Sequence, residues 1–380
     1  DLGPEVRDRT SNRPGVNRYD RKQFRYDLLA PLLTAAYNVD DGIFLGGGFY
    51  YRTHGFRHDP YAARHRLLGS YAINTNSYNF SYRGDFTDAI GRVDLRLTAD
   101  VLAPSNVDNF FGYGNETFTY DRDTLDIDRY RARFQQIDFR AQLRAPVGHS
   151  LEMVAGPLYQ RFELNQEAVD RLTTNPDIEP LRGAGDTPPG GQKQYAGLAL
   201  GLRYDDRDSE VMPSRGAAWN VDGTLGRGLN GRSGDFAQLR GDLALYLGIR
   251  YPARVTLATR IGGGRTYGDF EFFQSMRLGG RENLRVYRLT RFAGQSALYN
   301  NSEIRLRLLT FRTYLLPGHL GVLGFHDMGR VWIDGEDSDK WHQGYGAGVW
   351  LAPFNRFVVA FTYGFSEEER LPLVQFGFFF

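Results

Sequence analysis

The chain has 380 residues with 45 Gly, 23 Tyr, 27 Phe, 4 Met and no Cys, a balance that favours one large β domain over a helical one. Lysine and arginine (46) nearly cancel aspartate and glutamate (45), leaving a formal net charge of +1, so nothing in the balance points to nucleic acid. Mean hydropathy is -0.46 and no run approaches the roughly 18 apolar residues of a spanning helix, which excludes a helical membrane protein but not a barrel, where only alternate residues meet lipid.

Residues 1–25 are polar, contain Pro4, Pro14 and seven Arg or Lys, and read as a linker or periplasmic tail; the barrel domain is expected over 26–380. The chain starts at Asp1 without a signal peptide, as expected of a mature or trimmed form whose upstream domain is missing. Strand patterns follow near 29–38, 43–54, 63–73, 76–85, 89–100, 130–145, 150–163, 194–206, 215–228, 235–250, 253–264, 300–314, 319–333, 343–351, 356–366 and 371–380. The period is two. From Phe236 to Arg250, Ala237, Leu239, Leu243, Leu245, Leu247 and Ile249 oppose Gln238, Arg240 and Asp242. The same split recurs in Arg92 to Asp100 and in Ile137 to Arg144.

Short connections such as Ala145-Pro146-Val147-Gly148 and Ala352-Pro353-Phe354-Asn355 alternate with long ones near 101–128, 164–192 and 265–298. Short turns on one rim and long loops on the other is the outer-membrane pattern. Aromatics at Phe49-Tyr50-Tyr51, Phe110-Phe111 and Phe361 to Phe365 sit where interfacial belts are expected. A soluble sandwich also alternates, but an even number of long strands with charged inward faces suits a wet lumen better than a dry core. The last strand places Val374, Phe376, Phe378 and Phe380 on one face. Outer-membrane barrels usually end on an aromatic in this way.

Between the eleventh and twelfth strand patterns lies Leu278-Gly279-Gly280-Arg281-Glu282-Asn283-Leu284-Arg285-Val286-Tyr287, a Gly-rich loop carrying two arginines and an aromatic. Arg291-Phe292-Ala293-Gly294 follows, then Asn301-Ser302-Glu303-Ile304-Arg305-Leu306 and Phe325-His326-Asp327-Met328-Gly329-Arg330-Val331-Trp332. From about residue 25 to 380 the chain resembles the BamA/TamA-type outer-membrane barrels, or bacterial surface antigen domains. The resemblance implies an all-β, sixteen-stranded antiparallel transmembrane barrel in the bacterial outer membrane, with its sixth external loop turned into the lumen. It implies that Arg285 and Tyr287 belong to a loop latch with Glu303 and Asp327, framed by Gly279, Gly280, Gly294 and Gly329. Parity places Glu303 inward; Phe325 shares the parity of Asp327, so alternation leaves the face of Asp327 open. Val286 stands where the family has glycine, and a β-branched residue tolerates positive φ poorly. Phe110-Phe111-Gly112-Tyr113-Gly114-Asn115-Glu116-Thr117 resembles a segment of Bacteroidetes-type members, some of which carry a soluble domain.

No catalytic, metal or cofactor constellation emerges. His54, His58, His65, His149, His319, His326 and His342 lack metal-ligand spacing and read as surface polar residues. Gly46-Gly47-Gly48 and Gly262-Gly263-Gly264 fall within strands, where they mark close packing rather than a phosphate cradle. Asp121, Asp123, Asp126 and Asp128 lack the glycine and terminal glutamate of a calcium loop, and Asp205, Asp206, Asp208 and Glu210 read as a solvated turn. The seam between first and last strands, with Pro31, Gly377 and Phe380, is expected to pair weakly, since Pro31 lacks a donor and Gly377 packs poorly; the resemblance implies that such a seam serves as a lateral gate for a client strand. The expected function is assembly, insertion or translocation of proteins, or anchoring an associated soluble domain. The alternatives are a passive solute channel and the barrel of an enzyme fusion of metallophosphoesterase or lipase type. Expected partners are outer-membrane lipid and lipopolysaccharide, a client barrel or secreted protein, and a periplasmic or fused soluble partner, with no nucleic acid.

Overall fold

A computed structural model describes residues 26–38, 42–55, 58–117, 127–148, 150–175, 190–250, 254–314 and 317–380. The segment 1–25, with its expected role as a linker or tail, lies outside the described residues, as do Asp121, Asp123, Asp126 and His149.

The strands are β1 (Leu28–Asn38), β2 (Gly42–Thr53), β3 (Ala63–Ala72), β4 (Ser77–Ile90), β5 (Val93–Asn109), β6 (Arg131–Val147), β7 (Leu151–Leu164), β8 (Gly191–Asp205), β9 (Gly216–Gly228), β10 (Phe236–Ile249) and β11 (Arg254–Gly268). After a two-stranded ribbon of β12 (Met276–Leu278) and β13 (Phe292–Gly294) come β14 (Ser296–Arg312), β15 (Pro317–Trp332), β16 (His342–Pro353), β17 (Val359–Ser366) and β18 (Arg370–Phe376). β1 to β11 and β14 to β18 make one sixteen-stranded sheet in chain order, every neighbour antiparallel. The fold is an all-β transmembrane barrel. Alternation builds it directly: on β10 Leu239, Leu245 and Leu247 are exposed on the outer wall while Phe236, Ala244 and Tyr246 are buried inside. A one-residue slip would exchange these faces, which pins the register.

On the rim opposite the chain ends the strands run longer than the alternation suggests. β5 continues to Asn109, β11 to Gly268, and β14 begins at Ser296. There the inward residues pack on loop rather than water, as with the fully buried Thr266, so the polar half of the alternation fades. The connection after β7 also holds a helix, α1 (Gln166–Thr174), which the strand pattern does not foresee. The Asn165 side chain accepts from the Ala168 amide at 2.8 Å to cap it, and Ala168, Val169 and Leu172 are buried beneath it.

Three expectations are corrected. Phe110 and Phe111 form no belt; both are buried, in a cluster with Tyr130, Phe134, Phe162 and Phe272. His342 is no surface residue but a buried one, its ring stacked 3.5 Å from that of Phe292. The final strand stops at Phe376. Gly377 takes φ +99, a conformation that L side chains rarely adopt. The chain then leaves the sheet, and Phe378, Phe379 and Phe380 turn into the lumen instead of continuing along one face. There they meet guanidinium groups: Phe378 lies 4.0 Å from that of Arg305 and Phe379 lies 4.1 Å from that of Arg285.

Candidate functional site

The loop from 269 to 295 is built around a return of the chain. β12 and β13 pair Met276 with Gly294 and Leu278 with Phe292. Gly279 (φ +130) and Gly280 (φ +68) make the sharp step beyond β12. Asn283 closes the turn: its Oδ1 accepts from the Gly279 amide at 2.7 Å and its Nδ2 donates to the Arg277 carbonyl at 3.1 Å. Gly294 and Gly329 are close-approach positions. A Cβ at Gly294 would lie 2.7 Å from the Trp332 carbonyl oxygen, and one at Gly329 would lie 2.9 Å from Leu278 Cδ1.

The tip carries Arg285 into the barrel wall. Its Nε and Nη2 donate to the two Asp327 carboxylate oxygens, each at 2.7 Å, and Nη1 donates to Glu303. Strand register explains the convergence, because Glu303 sits opposite Phe325 and Asp327 opposite Asn301 on the paired strands β14 and β15. Both carboxylates therefore project inward two residues apart. Phe325 shares that face, its ring 3.9 Å from the Arg285 guanidinium carbon. Arg285, Glu303 and Asp327 are 3%, 4% and 0% exposed. Such burial is tolerated only when charge and hydrogen bonds are both satisfied. Arg305 supplies the second cation, donating from Nε to the other Glu303 oxygen at 2.7 Å, and Asn301 Nδ2 donates to Asp327 at 2.8 Å. Two guanidinium groups thus balance two carboxylates.

Val286 needs no left-handed backbone; it is absent from the positive-φ residues. It is fully buried in a socket formed by two glycines. Cβ atoms at Gly364 and Gly344 would lie 2.6 Å and 3.2 Å from Val286 Cγ2. The Ser366 hydroxyl donates to the Val286 carbonyl at 2.9 Å, and the Tyr287 hydroxyl donates to the Gln343 carbonyl at 3.0 Å. The tip is therefore tied to β14, β15, β16 and β17 together.

Further ties went unseen in the sequence. Arg277 forms an ion pair with Asp108 at the end of β5. Arg291, 1% exposed, makes a bidentate pair with Glu368 at 2.8 and 2.6 Å, and buried Lys193 meets buried Glu271 at 2.7 Å. The segment 110–117 folds over the same loop, with the Gly114 amide donating to the Ala293 carbonyl at 2.8 Å. Arg291 opens the segment Arg291-Phe292-Ala293-Gly294, but its partner Glu368 lies in a loop far along the chain. Of the seam residues, Pro31 sits in β1 opposite Phe49 and Gly377 marks the break after β18, whereas Phe380 reaches the latch network. Phe380 has left the seam, its carbonyl accepting from Arg305 Nη2 at 3.1 Å. In the turn after β8, Asp205 pairs with Arg207 at 2.6 Å and Asp208 accepts from the Ser214 amide at 2.7 Å.

The Omp85 superfamily domain matches residues 65–380. The chain belongs to the Omp85 superfamily. It is similar in fold to BamA from Haemophilus ducreyi lacking POTRA domains 1-3, with a TM-score of 0.64 and 14% identity over 93% of this chain and 70% of that one. CdiB from Escherichia coli and CdiB from Acinetobacter baumannii each give a TM-score of 0.53 and 13% identity over 92% of this chain. The match spans 61% and 59% of those two chains, so it covers under two thirds of their length. A search of curated proteins by sequence finds no match. As an Omp85 barrel the molecule resides in the bacterial outer membrane, with the short turns on the periplasmic rim and the lumen-inserted loop as the sixth external one.

Proposed function

We propose that this Omp85 barrel assembles or translocates proteins at the outer membrane, admitting a client strand at the seam between β1 and β18. The reading is supported chiefly by the sixth loop latched to the inner wall and by the inturned Phe378–Phe380, which take up lumen space that a solute channel would leave free. Two features favour the seam as the mobile part. β1 and β18 are the terminal strands of the sheet, and β18 has 7 residues against 11 in β1, so pairing across the seam would leave part of the β1 edge without a partner. Pro31 also removes a backbone donor from β1. An edge strand with free backbone groups is a template for strand addition.

The chain has no cysteine, so one introduced in β1 and one in β18 form a clean oxidisable pair. Reduced protein in vesicles is expected to speed insertion of a urea-denatured test barrel, and oxidation should abolish the effect. Equal rates in both states, or no acceleration in either, would overturn the proposal.

A further inference from the structure

At the periplasmic end of the lumen, beside the inturned aromatics, lies a cavity of about 260 Å³. Five arginines line it: Arg215, Arg250, Arg254, Arg305 and Arg307. Among the described residues, no aspartate or glutamate does. Arg254 and Arg307 stand directly opposite each other in the β11–β14 ladder, an arrangement in which like charges destabilise a sheet. Two acids close to the lining residues in sequence, Glu303 and Asp208, are already engaged. Glu303 is taken by Arg285 and Arg305, and Asp208 accepts from the Ser214 hydroxyl and from the Ser214 and Arg215 amides.

Arg305 is 3% exposed, and its Nη1 is buried with no hydrogen-bond partner among the described residues. A buried donor left unsatisfied is costly enough to require an explanation. We infer that this cavity is a binding site for a phosphate group. Guanidinium forks match the paired oxygens of a phosphate, and the hydroxyl-bearing Ser214 and Thr256 also line the cavity. The volume far exceeds the roughly 30 Å³ share of one water, so it holds the anion and the atoms joined to it. Trp350 and Phe378 supply an apolar wall for those atoms.

Calorimetric titration of the folded barrel in zwitterionic micelles tests the site, with inorganic phosphate as one probe and phosphatidylglycerol doped into the micelles as the other. Saturable binding of either probe is expected, weakened at least tenfold in the double variant Arg254→Gln/Arg307→Gln. Binding of inorganic phosphate alone identifies a free phosphate ligand, and binding of phosphatidylglycerol alone identifies a lipid headgroup. Arg215→Gln, in the turn outside the strands, gives the same reading should the double variant not fold. Absence of saturable binding by both probes, or equal binding by a folded variant and the wild type, would overturn the assignment.

Discussion

Arg285 shows how one side chain holds a long loop inside a barrel. Removing its side chain leaves Glu303 and Asp327 buried on neighbouring strands, with Arg305, Asn301 and the amide of residue 285 as their donors. Breaking a buried pair from one side costs about 3–5 kcal/mol, because the uncompensated charge stays behind. Arg285→Ala is therefore expected to lower the unfolding temperature and to expose the sixth loop to protease in intact outer membranes. An unchanged cleavage pattern would sink the latch. Lysine should not restore it, because a single ammonium lacks the fork that grips both Asp327 oxygens. Glu303 was legible from parity alone in the run Ser302 to Leu308. Asp327 was not: Phe325 shares its face because that ring also turns inward, onto Arg285.

Among the elements, the strands were the legible part, since lipid outside and polar lumen inside impose a two-residue period. That period fails wherever the inside is not water. Near Phe110 and Thr266 the lumen side packs on loop, and at Phe378 to Phe380 an alternation of phenylalanines cannot distinguish a lipid face from a guanidinium face. Gly377 was the only signal of the break. Val286 went unresolved because its socket comes from β16 and β17, far along the chain. Adding a methyl group to that socket should overpack it: Gly364→Ala is expected to cost about 1–3 kcal/mol of stability, read as a lower unfolding temperature. Trimming the partner in Val286→Ala/Gly364→Ala should recover much of the loss, since residues in contact couple. Purely additive effects would show that the two do not share a socket.

At the scale of the whole molecule, the barrel wall and the loop are one construction. Ion pairs from Arg277, Arg285, Arg291 and Glu271 reach β5, β8, β14, β15 and the turn before β18. This distributes the hold over much of the circumference, and it reaches both ends of β18 through Glu368 and the Phe379–Phe380 contacts while, among the described residues, involving none of β1. We propose that the latched loop closes the lumen to passive conduction. Single-channel recording in planar bilayers tests that most directly. The wild-type barrel is expected to give small, erratic conductance that becomes larger in Arg285→Ala; large, steady conductance from the wild type, unchanged by Arg285→Ala, would contradict it.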